Sequence, residues 1–142
     1  MARATFEETH TMSDSFPGDL KYTKDHEWAR TTAAGLQVGI TSFAVEQLGD
    51  ITLVSLDVKV GDTLAAGKAF GTIESVKTLS DLYAPVAGKI VAINGALNDK
   101  PELVNEDCYG KAWMIEIAPT DPNAAAGLLD AAAYKAHVDA SG

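Results

Sequence analysis

No apolar stretch in this chain outlasts a short β-strand, and glycine or proline punctuates the pattern between most of them. A chain so interrupted buries apolar surface by pairing many short strands. Leu36, Val38 and Ile40 alternate with Gln37, Gly39 and Thr41, the period of a half-buried strand. Glu27 to Arg30 predicts a strand before it, with Gly35 marking the turn. Ser42 is placed to cap a short helix over Phe43–Leu48, which Gly49 ends. Ile51–Val58 carries Ile51, Leu53 and Ser55 on one face and Thr52, Val54 and Leu56 on the other, so it is expected to be a central strand. Ala69–Ser75 and Leu79–Tyr83 read as two strands around Val76, Lys77 and Thr78. Lys89–Asn94 and Trp113–Ile117 alternate again, and Pro101 starts a helical turn through Asn105. Thr120, Asp121 and Pro122 predict the start of an Ala-rich helix reaching about Val138, with a possible break at Gly127. Together these predict a mostly β fold, a flattened barrel or sandwich hybrid with short peripheral helices and a C-terminal helix.

Composition narrows the partners. The net charge of −9 repels nucleic acid and anionic membrane, and no basic stripe overrides it. Docking on basic patches of other proteins suits the acidity, and steering by those charges should weaken with salt. Cys108 is the lone cysteine, which makes no internal disulfide. His10, His26 and His137 are scattered and form no metal spacing, so no metal is expected. Trp28 and Trp113 read as core anchors. No nucleophile–base signature or phosphate-cradling loop appears. Residues 1–18 read as a flexible extension and 19–142 as a single domain. The first twenty residues lack a secretory apolar core and carry Glu7, Glu8, Asp14 and Asp19 against Arg3, unlike a transit peptide. Met12 offers an alternative start. A bacterial cytoplasm is expected, with the mitochondrial matrix less favoured.

Lys77 stands between two turns, Val60-Gly61-Asp62 before it and Ala87-Gly88-Lys89 after it. The arrangement suggests two related half-sheets with Lys77 at the joint, although the tip lacks the Asn-Gly or Asp-Gly of favoured hairpins. Glu74-Ser75-Val76-Lys77, followed by Ser80-Asp81-Leu82-Tyr83-Ala84-Pro85, resembles the lipoylation segment of glycine cleavage H proteins. Tyr22-Thr23-Lys24-Asp25-His26-Glu27-Trp28 resembles that family's N-terminal signature. Gly39-Ile40-Thr41, Gln47-Leu48-Gly49-Asp50, Pro101-Glu102-Leu103-Val104-Asn105 and Tyr109-Gly110 through Trp113 match in order, over roughly Leu20 to His137.

The resemblance implies a lipoyl-type domain whose Lys77 holds lipoic acid as an amide, with Glu74, Ser75 and Val76 as its recognition segment. It implies a carrier and not an enzyme, serving a pyridoxal-phosphate glycine decarboxylase, a folate-dependent aminomethyltransferase and dihydrolipoamide dehydrogenase, after modification by lipoylation enzymes. A monomer is expected. Glu27 and Asp81 are implied to face the cationic aminomethyl cargo, with Asp25 and Gln47 close by. Three features depart from the family: Cys108 before Tyr109, Thr78-Leu79 after the lysine, and the run Leu56–Gly61. An H-like protein passing lipoate to other carriers is the alternative. A biotinyl domain would set its lysine between methionines, and lipoyl domains of 2-oxoacid dehydrogenases place aspartate before it; Val76 and Thr78 match neither.

Overall fold

The computed structural model describes residues 16–141. Its strands form two antiparallel sheets. The larger runs, in spatial order, β1 (Lys21–Tyr22), β2 (Glu27–Thr31), β3 (Leu36–Ile40), β9 (Ile115–Pro119), β8 (Gly88–Ile93) and β5 (Thr63–Leu64). The smaller runs β4 (Ile51–Leu56), β6 (Ala69–Ser75) and β7 (Leu79–Tyr83). Side chains from both sheets, among them Val38, Ile40, Phe70, Ile73, Ile90 and Ile117, share one buried cluster. Short helices α1 (Ser42–Leu48), α2 (Ala96–Asp99) and α3 (Leu103–Glu106) lie between strands, and α4 (Ala131–Ser141) ends the chain. The mostly β sandwich with peripheral helices and a C-terminal helix is thus the one the alternation predicts.

The Val60-Gly61-Asp62 turn bonds to β8 just after the second of the two turns. The Gly61 N–H donates to the Ile90 carbonyl at 2.8 Å, and the Ile90 N–H to the Asp62 carbonyl at 2.8 Å. Lys77, however, is not at a joint between sheets. Its hairpin lies wholly in the smaller sheet, because β6 and β7 pair with each other and β6 also pairs with β4.

Four expectations need correcting. The cap of α1 is Thr41, whose hydroxyl accepts from the Ala44 N–H at 3.2 Å; Ser42 instead meets the Tyr109 hydroxyl. β4 is an edge strand, not a central one. A register shift between Ile51 and Leu53 turns Ile51 inward with Val54 and leaves Leu53 outward, so the strict alternation fails there. Trp113 and Met114 precede β9, which starts at Ile115; Trp28 is fully buried and Trp113 half-buried.

The C-terminal helix also begins late. After a 3₁₀ turn at Ala124–Gly127, the backbone extends so that Leu129 and Tyr22 exchange two hydrogen bonds of 2.8 Å. The helix then starts at Ala131, with the Asp130 carboxylate accepting from the Ala133 N–H at 2.8 Å. Asp130→Ala should therefore lower stability by about 1 kcal/mol, read as a reduced urea midpoint with an unchanged slope.

Tyr134 of α4 stacks on Tyr22, with ring centroids 4.7 Å apart and planes 8° from parallel. Together with Leu20, Trp28 and Val138 they form a second buried cluster. Phe16 packs on Tyr134 at 4.7 Å, and the Pro17 carbonyl accepts from the Tyr22 hydroxyl at 2.6 Å, so these two residues of the expected extension join the packed body. Residues 1–15 of that extension, with His10 and Met12, lie outside the described residues.

Candidate functional site

The β6–β7 hairpin needs a two-residue turn at Val76 and Lys77, yet neither has positive φ; among the described non-glycine residues only His26 does, at 69°. The buried Ser75 hydroxyl supplies what the missing Asn-Gly would. It accepts from the Lys77 N–H at 3.1 Å and the Thr78 N–H at 3.2 Å, while the Ser75 N–H donates to the Thr78 carbonyl at 2.8 Å. The Val76 N–H donates to the Asp50 carbonyl at 3.0 Å, which ties the tip to the loop before β4. Lys77 itself is exposed. Its stem runs past Gly49, where φ is 82° and a Cβ would sit 3.1 Å from Lys77 Cε.

That loop is braced in turn. The Asn105 side chain accepts from the Ile51 N–H at 2.9 Å and donates to the Gly49 carbonyl at 3.0 Å. Sequence reasoning quoted Asn105 only as part of a motif and gave Ser75 no role in the turn. The serine two residues before a lysine, with no glycine at the tip, is the signal that would have found the latter. Ser75→Ala removes the acceptor of two amides and should lower stability by about 1–2 kcal/mol. Hydrogen exchange at the Lys77 and Thr78 amides should quicken at least tenfold, more than at amides in β8.

At the other end of β7 lies an ionisable cluster. Glu27 opens β2 and is only 2% exposed. Its carboxyl oxygens accept from the Tyr83 N–H at 2.8 Å and the Thr23 hydroxyl at 3.2 Å. Burial pushes its pKa up to about 8, with Asp25 adding to the rise and the two hydrogen bonds opposing it. Asp81 is exposed, and it meets the cluster through Tyr83, whose hydroxyl donates to it at 3.4 Å. Asp81 chiefly, then burial, raises the Tyr83 phenol. The structure thus gathers Glu27, Asp25 and Thr23, with Asp81 at their edge. Gln47 is exposed on α1 and bonds to neither carboxylate. A pocket of about 290 Å³ opens beside Glu27, walled by Thr23, Lys24, Asp25, Pro85 and Leu129. Asp81 and Tyr83 lie four and six residues from Lys77, at most roughly 13 and 20 Å along the strand.

The remaining candidates are structural. His26 Nδ1 lies 2.8 Å from the Tyr134 hydroxyl, which also meets Thr41 at 2.7 Å. Burial, then His137, whose ring centroid is 5.5 Å away, lowers the His26 pKa. Trp28 Nε1 donates to the Cys108 carbonyl at 2.9 Å. The buried Cys108 thiol is pushed up to about 12, chiefly by desolvation, which makes it unreactive. Among the described residues no cluster of three or more His, Cys, Asp or Glu side chains is placed to hold a metal ion. None of the described helices is long and apolar enough to cross a membrane.

The chain matches the family model described as glycine cleavage H-protein over residues 20–141. It is 53% identical over 125 residues to a glycine cleavage system H protein of Myxococcus xanthus, covering 88% of this chain and 96% of the relative. To that of Bacteroides thetaiotaomicron it is 55% identical over 125 residues, covering 88% and 98%. The crystal structure of a glycine cleavage system H protein from Mycobacterium marinum superposes with a TM-score of 0.79 at 42% identity, covering 87% of this chain and 99% of that one.

Proposed function

The chain belongs to the glycine cleavage H-protein family, and on that premise we propose that Lys77 is the attachment point of lipoic acid and that the protein is a non-catalytic carrier. The observation that carries this reading is the exposed Lys77 amine at a hairpin tip fixed by Ser75 and the Asp50 carbonyl. A carrier needs its arm rooted in a rigid scaffold, and those contacts provide one. The residues suit an amide-linked lipoate: the amine is open to an incoming carboxyl, and Gly49 leaves room along the stem. When bound, lipoate supplies a disulfide that is reduced as a one-carbon amine is taken up and restored by oxidation.

The chain's own groups complete the proposal. Glu27, with Asp25 beside it, presents a carboxyl to a cationic amine entering the pocket, and Asp81, reached through the Tyr83 hydroxyl, is the exposed carboxylate on the arm's way there. The partners are glycine decarboxylase, aminomethyltransferase, dihydrolipoamide dehydrogenase and the lipoylation enzymes, each met transiently. Residues 19–142 act as one unit, as a monomer in a bacterial cytoplasm. Intact mass and peptide mapping of the protein from cells with working lipoate attachment test the proposal. One lipoyl group on Lys77 is expected; a bare Lys77 in every molecule overturns it.

A further inference from the structure

The C-terminal chain holds residues 22–27 at every second position. Leu129 exchanges two backbone hydrogen bonds with Tyr22, each of 2.8 Å. His137 Nε2 lies 3.1 Å from the Lys24 carbonyl. The Tyr134 hydroxyl lies 2.8 Å from His26 Nδ1. The residues between, Thr23, Asp25 and Glu27, carry a hydroxyl and two carboxyl groups to the pocket wall.

His26 is the strained member of this segment. Its φ of 69° lies in the left-handed region, which is costly to any side chain. Its N–H donates to the Thr23 carbonyl at 3.2 Å, and its carbonyl accepts from the Thr41 N–H at 3.0 Å. The ring is held separately, against Phe43 at 4.8 Å and by the fully buried Tyr134. The same phenol oxygen meets the Thr41 hydroxyl at 2.7 Å, so it joins the turn to the cap of α1. Glu27 is pinned by its pairing with Ile40. A relaxation of His26 to negative φ must therefore move Thr23 and Asp25, and the Thr23 hydroxyl then leaves the Glu27 carboxyl.

We propose that Tyr134 is a positioning residue of the cargo pocket: its hydroxyl holds His26 in the left-handed conformation and so keeps Thr23 and Asp25 against the Glu27 carboxyl. The proposal rests on the reading that a cationic amine on the arm enters beside Glu27. Tyr134 does not line the pocket and acts only through His26. Small displacements of groups that hold a bound reactant carry large effects on rate.

The test is Tyr134→Phe in the lipoylated protein, which keeps the ring against Tyr22 and Phe16 and removes one oxygen. The oxidised arm is loaded from glycine by glycine decarboxylase, and the enzyme is then removed. Water attacking the loaded arm returns the dithiol and releases formaldehyde and ammonia, which are followed over time. Release should quicken about tenfold in Tyr134→Phe. Adding His26→Gly should restore the wild-type rate, because glycine adopts positive φ without help. Val138→Ala, in the same buried cluster and on the same helix, should destabilise the fold at least as much and leave the rate unchanged. A wild-type rate in Tyr134→Phe overturns the proposal, as does an equal rise in Val138→Ala or a failure of glycine to rescue. A wild-type rate in Glu27→Gln sinks the cargo reading itself, a distinct result. The unmodified protein then decides the inference. Followed by carbon NMR, the Glu27 titration should move down in Tyr134→Phe as water reaches the carboxyl, and return with His26→Gly. An unmoved midpoint overturns it.

Discussion

Lys77→Arg should abolish both lipoate attachment and every turn of a reconstituted glycine cleavage cycle, while leaving the fold intact. The side chain is exposed at a tip held by backbone groups and by Ser75, not by the lysine. Stability should therefore change by no more than about 0.5 kcal/mol. Arginine keeps the positive charge and most of the length, so electrostatic steering survives. What it loses is a nucleophile, since guanidinium is not deprotonated in proteins. The loss in attachment should be total, because no other lysine sits on β6, β7 or their turn. Moving the amine is a stricter trial: Val76→Lys combined with Lys77→Val shifts it by one residue, toward the Asp50 loop. Attachment there at the wild-type rate would mean that any exposed amine suffices and that the Ser75 turn plays no part in positioning.

That hairpin was the most legible part of the chain. Ala69–Ser75 and Leu79–Tyr83 were read at their observed limits because both are local, alternating runs ended by turn residues. The errors fall where a distant partner decides. Nothing near Leu128 announces that the backbone will extend there for Leu129 to bond Tyr22, so the local pattern predicts a helix start at Thr120. The β4 bulge is set by pairing with β6, and a strict two-residue period cannot contain it. At the site, Lys77 was found through its neighbours in sequence. The burial of Glu27 was not, because it depends on Tyr83, 56 residues away, closing over the carboxyl. Asp81 carries the same chemistry in the sequence and ended up exposed.

Glu27→Gln should flatten a marked pH dependence of stability in the unmodified protein. The folded carboxyl titrates near 8 against an ordinary 4.5. Below about pH 4.5 both folded and unfolded chains hold the proton, so the fold carries no penalty. Above it the unfolded chain releases the proton while the fold retains it. Stability then falls by about 1.4 kcal/mol per pH unit until roughly pH 8, and is flat beyond. The loss at pH 8 approaches about 5 kcal/mol, a large part of a typical domain's stability. Glutamine mimics the protonated acid. Its carbonyl takes the Tyr83 N–H, but its amide cannot accept the Thr23 hydroxyl, whose oxygen already accepts from the Asp25 and Glu27 N–H groups, a loss of about 1–2 kcal/mol; the variant should still be more stable than wild type at pH 8 and slightly less stable at pH 4.5. His26, whose pKa is lowered by burial, acts in the opposite direction near its own titration. It is common to both proteins, and the difference between them cancels it. Urea titrations from pH 4.5 to 8.5 decide the matter, and parallel curves for the two proteins would falsify the buried-acid account. The same physics links stability to cargo. A cationic amine beside Glu27 relieves the penalty of the buried anion, so its arrival should release a proton near neutral pH, and proton and amine compete for one carboxylate. Glutamine cannot take part in that exchange, so the variant, though sturdier, should hold a cationic cargo at least tenfold more weakly.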